Sequence, residues 1–549
     1  MESNLAQESN MMQGNTVMPG SNMMPGYNAM PGSNAMQPAW PPAFPAMEKP
    51  SRMANKFKPE TADFLFALAA FVLGYVFSRW VFFSWQGWGV TAFTTAYLLF
   101  AAVYLSRKGV FVNNAATWFW MAVTWATGLS YSLWGNAGFS GIRALFLFGS
   151  AIYFVIAASG SAIMGKTGSF LIADGFNASV LIPFRNIFNQ YVSFSVLGKG
   201  RKRGKILPVF LGAVLAAIML AILIPMLERA DSGGFRVILS FITNLITFNF
   251  WEFTLYAVPA IPVAAYMYGL VSGAAHKKGT DMIEPEATEK AVASFRILHA
   301  ATIYITLGAV CGLYLVFILS QTPYFFSAFT GKRPEGWLIY AEYARQGFFE
   351  LCGIGAINLV ILTVGNLTCK VRRMQSLALR VFNITLAVIT LVLIATAFSK
   401  MSLYISVYGL TMRRLLPCVL MVFMAVVFIA LIALQKRSFS IVRFALATGA
   451  IMLCMLSLSN PDAIVVRYNA DRYLSGSLPH FDTEILHRSG NAGVLPAIEV
   501  YQNTQDTELK NEITQYLWNR RGYSGASHTQ SLELWRAREA QEAADVKLS

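Results

Sequence analysis

The residues able to do chemistry in this sequence sit at the ends of long apolar runs. Glu342, Tyr343, Arg345 and Glu350 stand ahead of one run, in WLIYAEYARQGFFEL; Lys400, Ser402, Tyr404, Tyr408, Arg413 and Arg414 close the next, in FSKMSLYISVYGLTMRR. A third group, Asn460, Asp462, Arg467, Tyr468, Asn469 and Arg472, follows the last run, and Glu252 opens an earlier one. Carboxylates mixed with Lys, Arg and Tyr at a membrane boundary suit a lipid headgroup, an ion or substrate path, or acid and base work at the bilayer surface. Glu252 and Glu350 are the strongest single candidates, because a carboxylate within or beside a span is costly unless partnered. The competing reading is structural. Ionisable groups at span ends reach water or pair with one another, Tyr and Arg anchor interfaces, and a pair such as Glu342 and Arg345 then only fixes a loop.

Recognisable enzyme frames are few in the sequence. HExxH and GxSxG do not occur, and LGKGRKRGK has glycines and lysines without the phosphate-binding GxxxxGK[ST] frame; GSAIMGKT at 160–167 meets that spacing, but at the end of an apolar run rather than between a strand and a helix. The loop Phe82 to Gly89 lacks the acidic residues that membrane glycosyltransferases place in their first outward loop. His276, His299, His480, His487 and His528 are scattered, and only His299 is near a span. Cys311, Cys352, Cys369, Cys418 and Cys454 lie in or at the ends of apolar runs without a CxxC partner, which reads as packing rather than zinc or disulfide chemistry. The sequence therefore implies no metal and no cofactor.

The elements that position these groups follow from composition. Of 549 residues, 55% are hydrophobic and 13% charged, where a soluble chain would carry roughly a quarter charged residues. Mean hydropathy is +0.49, so lipid is the solvent for most of the chain. The net charge of +15 comes mainly from Lys and Arg in short loops between apolar runs, a pattern of membrane orientation rather than of nucleic-acid binding. With the N-terminus placed inside, inward segments hold about 23 Lys and Arg against about ten outward, and the alternation never reverses, which predicts a cytoplasmic N-terminus and an outside C-terminus.

Residues 1–60 repeat MPGSNM, MPGYNA and MPGSNA and then run into WPPAFP; Pro and Gly in every repeat predict a disordered cytoplasmic tail. The membrane domain, 61–460, is an all-α polytopic transmembrane helical bundle of about eleven spans, near 62–83, 88–106, 115–134, 141–163, 206–227, 251–272, 297–320, 349–369, 378–398, 415–434 and 441–459. Two connecting stretches have a 3.6-residue apolar period and read as helices lying in the interface: Val180 to Val192, with Arg185, Asn186, Asn189 and Gln190 opposite, and Phe235 to Thr247. Pro259 and Pro262 in the sixth span, and Gly353 and Gly355 in the eighth, are positions where a span could be broken, as transporters require. After Ser459 the composition becomes that of a soluble helical tail, 461–549, with Leu509, Ile513, Tyr516 and Leu517 at helical spacing, Asp506 placed to cap them, and Leu532 and Trp535 beginning a further helix.

YAEYARQGFFEL, SKMSLYISVYGLTMRR, NPDAIVVRYNADRY and RGKILPVFLGAVLAAIMLAILIPMLERADSGGF resemble the signature stretches of a family of bacterial multi-pass membrane proteins catalogued as a domain of unknown function. The resemblance spans about Arg203 to Asn503 and implies a polytopic inner-membrane protein without implying a reaction. The expectation is an envelope sensor or assembly protein, not an enzyme, whose outward polar cluster and tail engage a lipid headgroup or a protein partner. A secondary transporter, or an enzyme acting on a lipid at the outer leaflet, is the alternative; its polar groups would have to converge on a cavity or pocket.

Overall fold

The structure, a computed structural model, describes residues 57–135, 138–162, 171–194, 250–277, 293–329, 348–371, 373–521 and 526–548, with isolated positions between 196 and 290. All of the longer stretches belong to one compact unit, Phe57–Ser549. Of the expected disordered tail only 57–60 are described, and the fifth span at 206–227 and the amphipathic stretch 235–247 lie outside the described residues or touch only isolated ones.

Apart from one isolated bridge between Leu298 and Cys369, the described elements are helices. A first group comprises α1 (Thr61–Phe77), continued by a π-helical segment (Ser78–Phe82), then α2 (Trp88–Arg107), α3 (Ala115–Leu133), α4 (Ser140–Ser159), the short α5 (Leu171–Phe176), a second π segment (Asn177–Leu181), α6 (Ile182–Arg185), α7 (Asn189–Phe194) and the long α8 (Phe250–Ala275). The second group is α9 (Ala300–Phe329), α10 (Phe348–Thr368), α11 (Leu377–Tyr408), α12 (Met412–Leu434) and α13 (Ile441–Leu458). The chain then forms α14 (Pro461–Leu474), α15 (Glu484–Ser489), α16 (Val494–Asn503), α17 (Thr507–Arg521) and α18 (Leu532–Leu548).

Nine of the described helices are long and apolar enough to cross a membrane. Stretch 115–134 is helical, as α3, but its Thr, Ser and Trp residues keep it out of that set. Those polar residues face inward: Thr117, Thr124, Thr127 and Ser130 are buried, whereas Trp118 and Trp125 are exposed. Thr91 of α2 donates to the Gly128 carbonyl at 2.7 Å, the kind of small-residue and hydroxyl contact that holds spans together where the hydrophobic effect cannot. The same logic governs α1 against α8, where a Cβ on Gly74 would lie 2.5 Å from the Ala260 carbonyl. In the second group Tyr314, Asn358 and Thr390 form a hydrogen-bonded chain of 2.9 Å links across α9, α10 and α11. Helix α13 joins the two groups, packing on α12 and also on α3.

Two expectations need correction. Helix α8 runs unbroken through Pro259 and Pro262, and α10 through Gly353 and Gly355. Neighbouring helices pack closely enough to hold both in one piece, so neither is a discontinuous span. The stretch 180–192 is not an interfacial helix with its polar side in water. Three of its four polar residues turn toward protein: Gln190 donates to the Ala67 carbonyl at 2.9 Å, Asn189 to Ser272 at 3.3 Å, and Asn186 is buried against α8, while Arg185 is exposed. Phe184, Phe188 and Val192 point outward, where hydrocarbon would meet them. An amphipathic period reports two faces and cannot say which one faces protein.

At the end of the first group where α1 begins, Asp63 is fully buried and accepts from Tyr104 at 2.8 Å and from Lys108 at 3.0 Å. This pair locks α1 to the end of α2. The tail follows its sequence pattern: Leu509, Ile513, Tyr516 and Leu517 are all buried, and Asp506 accepts from the backbone N–H of Glu508 and Leu509. Helix α18 begins at Leu532 but buries Glu533, Leu534 and Ala537, leaving Trp535 exposed.

Candidate functional site

The site is built where α3 stops and α4 starts. Trp134 ends α3 in an extended conformation and fixes the turn by donating its indole N–H to the Leu458 carbonyl at the end of α13, 2.8 Å away. That turns the backbone N–H groups of Gly135 and Gly138 toward the C-terminal helices. Gly135 N–H donates to Glu533 Oε2, and Gly138 N–H to Asp462 Oδ1 at 3.1 Å. A Cβ at Gly135 would sit 2.8 Å from Glu533 Oε2, so a side chain there would have to displace that carboxylate. Asn460 caps α14 through its Oδ1, which accepts from Ala463 N–H at 3.2 Å, and its amide donates to Glu533 Oε1 at 3.2 Å. One short polar residue thus starts α14 and holds the carboxylate of α18.

The cation of the site is Arg143, one turn into α4 and 4% exposed. Its Nη2 donates to the Gly135 carbonyl at 2.8 Å, and its guanidinium lies 4.0 Å from the ring centre of the buried Tyr131. Asp462 and Glu533 are 6% and 8% exposed. Burial is the main influence on both carboxyls and raises both pKa values, Asp462 to about 6; the backbone N–H groups of Gly138 and Phe139 and the charge of Arg143 pull Asp462 down, while the Glu533 charge pushes it up. For Glu533 the opposing pulls come from Gly135, Asn460 and Arg143. Two carboxyls, one guanidinium and a fan of backbone donors therefore form a closed, proton-sensitive knot between the membrane helices and the tail.

Two further tethers join the same face. The turn Ser527–Thr529 lies on the loop between α1 and α2: Trp88 donates through its indole to the Ser527 carbonyl at 2.8 Å and through its backbone to Gln530 at 3.1 Å, and Ser84 meets His528 Nε2 at 3.2 Å. Burial, then the charge of Arg79, lowers the His528 pKa. Gly87 has φ +78°, and a Cβ there would overlap the Thr529 backbone. Gly87→Ala is therefore expected to detach this turn, read as faster hydrogen exchange in residues 526–534 with the exchange of α9 to α13 unchanged. At the third tether, Asn469 exchanges two hydrogen bonds with the Leu410 backbone, 2.7 and 2.8 Å, between α11 and α12.

Of the residues singled out from the sequence, Asn460 and Asp462 are in the knot, and Asn469 is in the third tether. Arg467 is half exposed and paired with Asp471 at 2.9 Å and Glu499 at 2.5 Å, within the tail. Tyr404 and Tyr408 pack edge to face, and Tyr404 lies under the Arg414 guanidinium at 4.2 Å; Arg414 also binds the Tyr408 and Gly409 carbonyls. Arg413 is exposed. Glu252 pairs with Arg79 at 3.2 Å, both about half exposed, so its position at a span end is accounted for by a solvent-accessible ion pair of little energetic weight. Glu350, exposed at the start of α10, acts electrostatically on Lys400 of α11. These two belong to the second helix group, whereas Asp462 binds the 138–139 turn of the first. Glu342, Tyr343 and Arg345 lie outside the described residues. Sequence reading missed Arg143, Glu533, Tyr131 and His528. Arg143 carried a usable signal, as the one charged residue in the stretch 141–163.

Fold and site together define a multi-pass helical membrane protein with a C-terminal helical unit bound to one face of its bundle. Residues 121–500 match the family described as a domain of unknown function, DUF4153, and the chain belongs to that family. The match begins upstream of Arg203, within α3, taking in α4 and Arg143, and ends before His528 and Glu533. No curated protein and no solved structure matches the chain.

Proposed function

We propose that this is a non-enzymatic sensor or interaction protein of a bacterial inner membrane, with about eleven spans, a disordered cytoplasmic N-terminal tail (1–60) and an outside C-terminal unit (461–549) that engages a protein partner or lipid headgroups. One observation supports the reading above others: the tail is held on the bundle by buried ionisable groups contributed from both sides, Asp462 and Glu533 against Arg143 and the backbone of Gly135 and Gly138. A tail that served only as a plug would be held more cheaply by apolar contacts. A buried charge knot instead gives the tail two states, bound and released, whose balance shifts with protonation or with a ligand that competes for Arg143. The transporter alternative loses its structural cue in the unbroken α8.

Topology is the first test. Asn460 and Ser531 are too buried to report on it, but Ser106, Ser475 and Thr514 are exposed. Single cysteines at these positions in a cysteine-free background, probed on intact cells with a membrane-impermeant thiol reagent, are expected to label at 475 and 514 and not at 106. Labelling at 106 alone would put the tail in the cytoplasm and overturn the envelope reading.

A further inference from the structure

The first helix group encloses a cavity of about 380 Å³ between α1, α2, α4, α6 and α8. Its volume is in the range of about 300–1,000 Å³ typical of ligand sites. The walls are almost wholly apolar, from Phe77, Val81, Phe93, Leu147, Ile152 and Leu270 among others. Of the three hydroxyl-bearing residues that line it, two are engaged elsewhere, Thr94 donating to the Val90 carbonyl at 2.8 Å and Tyr266 to the Ser179 carbonyl at 2.9 Å; the third is Tyr97. Such walls offer water fewer than the two to four polar partners it needs, and give a polar ligand little to orient it.

The mouth shows what stands outside. Phe148 and Phe184, both lining the cavity, flank Tyr266 with ring centres 6.2 and 6.0 Å away, and they are 50% and 59% exposed. Their neighbours Leu145 and Phe188 are 76% and 64% exposed. On a membrane-spanning bundle such a surface meets hydrocarbon. The cavity also lies between the two π-helical segments, one contributing Val81 and the other leading directly into α6 and Phe184. Single-turn π segments inside or beside α-helices recur at functional sites, where they displace a helix face from its neighbour.

We propose that this cavity is a binding site for one hydrocarbon chain of a membrane lipid, entering from the bilayer past Phe148, Tyr266 and Phe184. A dry void of this size forfeits dispersion contacts on all its walls, and the molecules next to the mouth are the ones able to restore them. The inference goes beyond the docking of the tail and does not depend on it.

The test uses the full-length protein in nanodiscs containing a phospholipid with a diazirine on its acyl chain. Peptides carrying residues 184–187 and 262–270 are expected to be photolabelled well above the lipid-exposed side of α9, where Ile305 and Leu313 are 73% and 67% exposed. Ala151→Trp, which fills the cavity, is expected to lower labelling of those peptides by roughly tenfold, the equivalent of losing one good apolar contact surface, while α9 is unchanged. Competition by unlabelled phospholipid or by polyprenyl phosphate then identifies which kind of chain is held. Equal labelling of the cavity peptides and α9 in the unaltered protein overturns the proposal, whether or not the Trp variant folds; so does labelling that survives the substitution in a folded variant.

Discussion

Arg143→Leu is expected to release the C-terminal unit from the membrane helices. The substitution removes the guanidinium that acts on both Asp462 and Glu533 and leaves two carboxyls buried, with backbone N–H groups and Asn460 as their remaining partners. Removing one member of a buried charged cluster costs about 3–5 kcal/mol, because the remaining charge must be carried without compensation or neutralised. The leucine would also leave the Gly135 carbonyl without its 2.8 Å donor and the Tyr131 ring without its cation. The measurement is the unfolding midpoint of the purified protein in detergent, with proteolysis of residues 461–548 as a local readout. The triple variant Arg143→Leu, Asp462→Asn, Glu533→Gln is expected to recover most of the loss, since amide oxygens still accept from Gly135 and Gly138 and no charge is left buried. If the triple variant is as unstable as the single one, Arg143 contributes packing and not charge.

The second large effect is on pH. The folded-state pKa of Asp462 lies above its ordinary value, from 3.8 to about 6, so between those values the folded protein holds a proton that the unfolded chain has lost. The contribution is fully present below about pH 4 and is lost as pH rises through about 6; two units correspond to roughly 3 kcal/mol. Glu533 shifts in the same direction, while His528, lowered by burial and Arg79, works the other way and favours the docked tail at higher pH. Asp462→Asn isolates the first term, because Glu533 and His528 remain. Stability measured from pH 4 to 8 is expected to fall in the unaltered protein relative to this variant by about that amount, with the divergence complete near neutrality. Parallel curves would show that Asp462 does not change its protonation on folding. Mild acid should thus tighten the Asp462 contact.

How much of this was legible in the sequence depended on distance along the chain. Long apolar runs and loop charges were local, and nine of the expected spans stand as helices of suitable length and composition. The cap by Asp506 and the buried stripe Leu509, Ile513, Tyr516 and Leu517 were legible because a helix brings residues three and four apart onto one face. Asn460 and Asp462 stood out because polar residues were dense where the chain leaves lipid. Their partners did not, since the contact from Gly138 to Asp462 bridges 324 residues and that from Gly135 to Glu533 bridges 398. Glu533 sits in an unremarkable SLELW, and Trp535 beside it looked like the better core residue; only the turn of α18 against α3 makes the glutamate the buried one. Of the polar residues of 180–192, Asn186, Asn189 and Gln190 turn toward other helices and Arg185 does not, because in a membrane protein the polar face is often the one turned toward other helices.

Hydrogen exchange at two backbone amides tests the docking of the tail most directly. Gly135 and Gly138 lie outside both α3 and α4, so the protection of their N–H groups depends on Glu533 and Asp462. The account predicts that both exchange slowly in the full-length protein, close to the rate of the α3 core, and that Glu533→Ala makes Gly135 exchange like an open loop while α9 to α13 keep their protection. Fast exchange at both glycines in the unaltered protein, with α14 to α18 still protected, would mean that the tail folds by itself beside the bundle and that the charge knot does not join them.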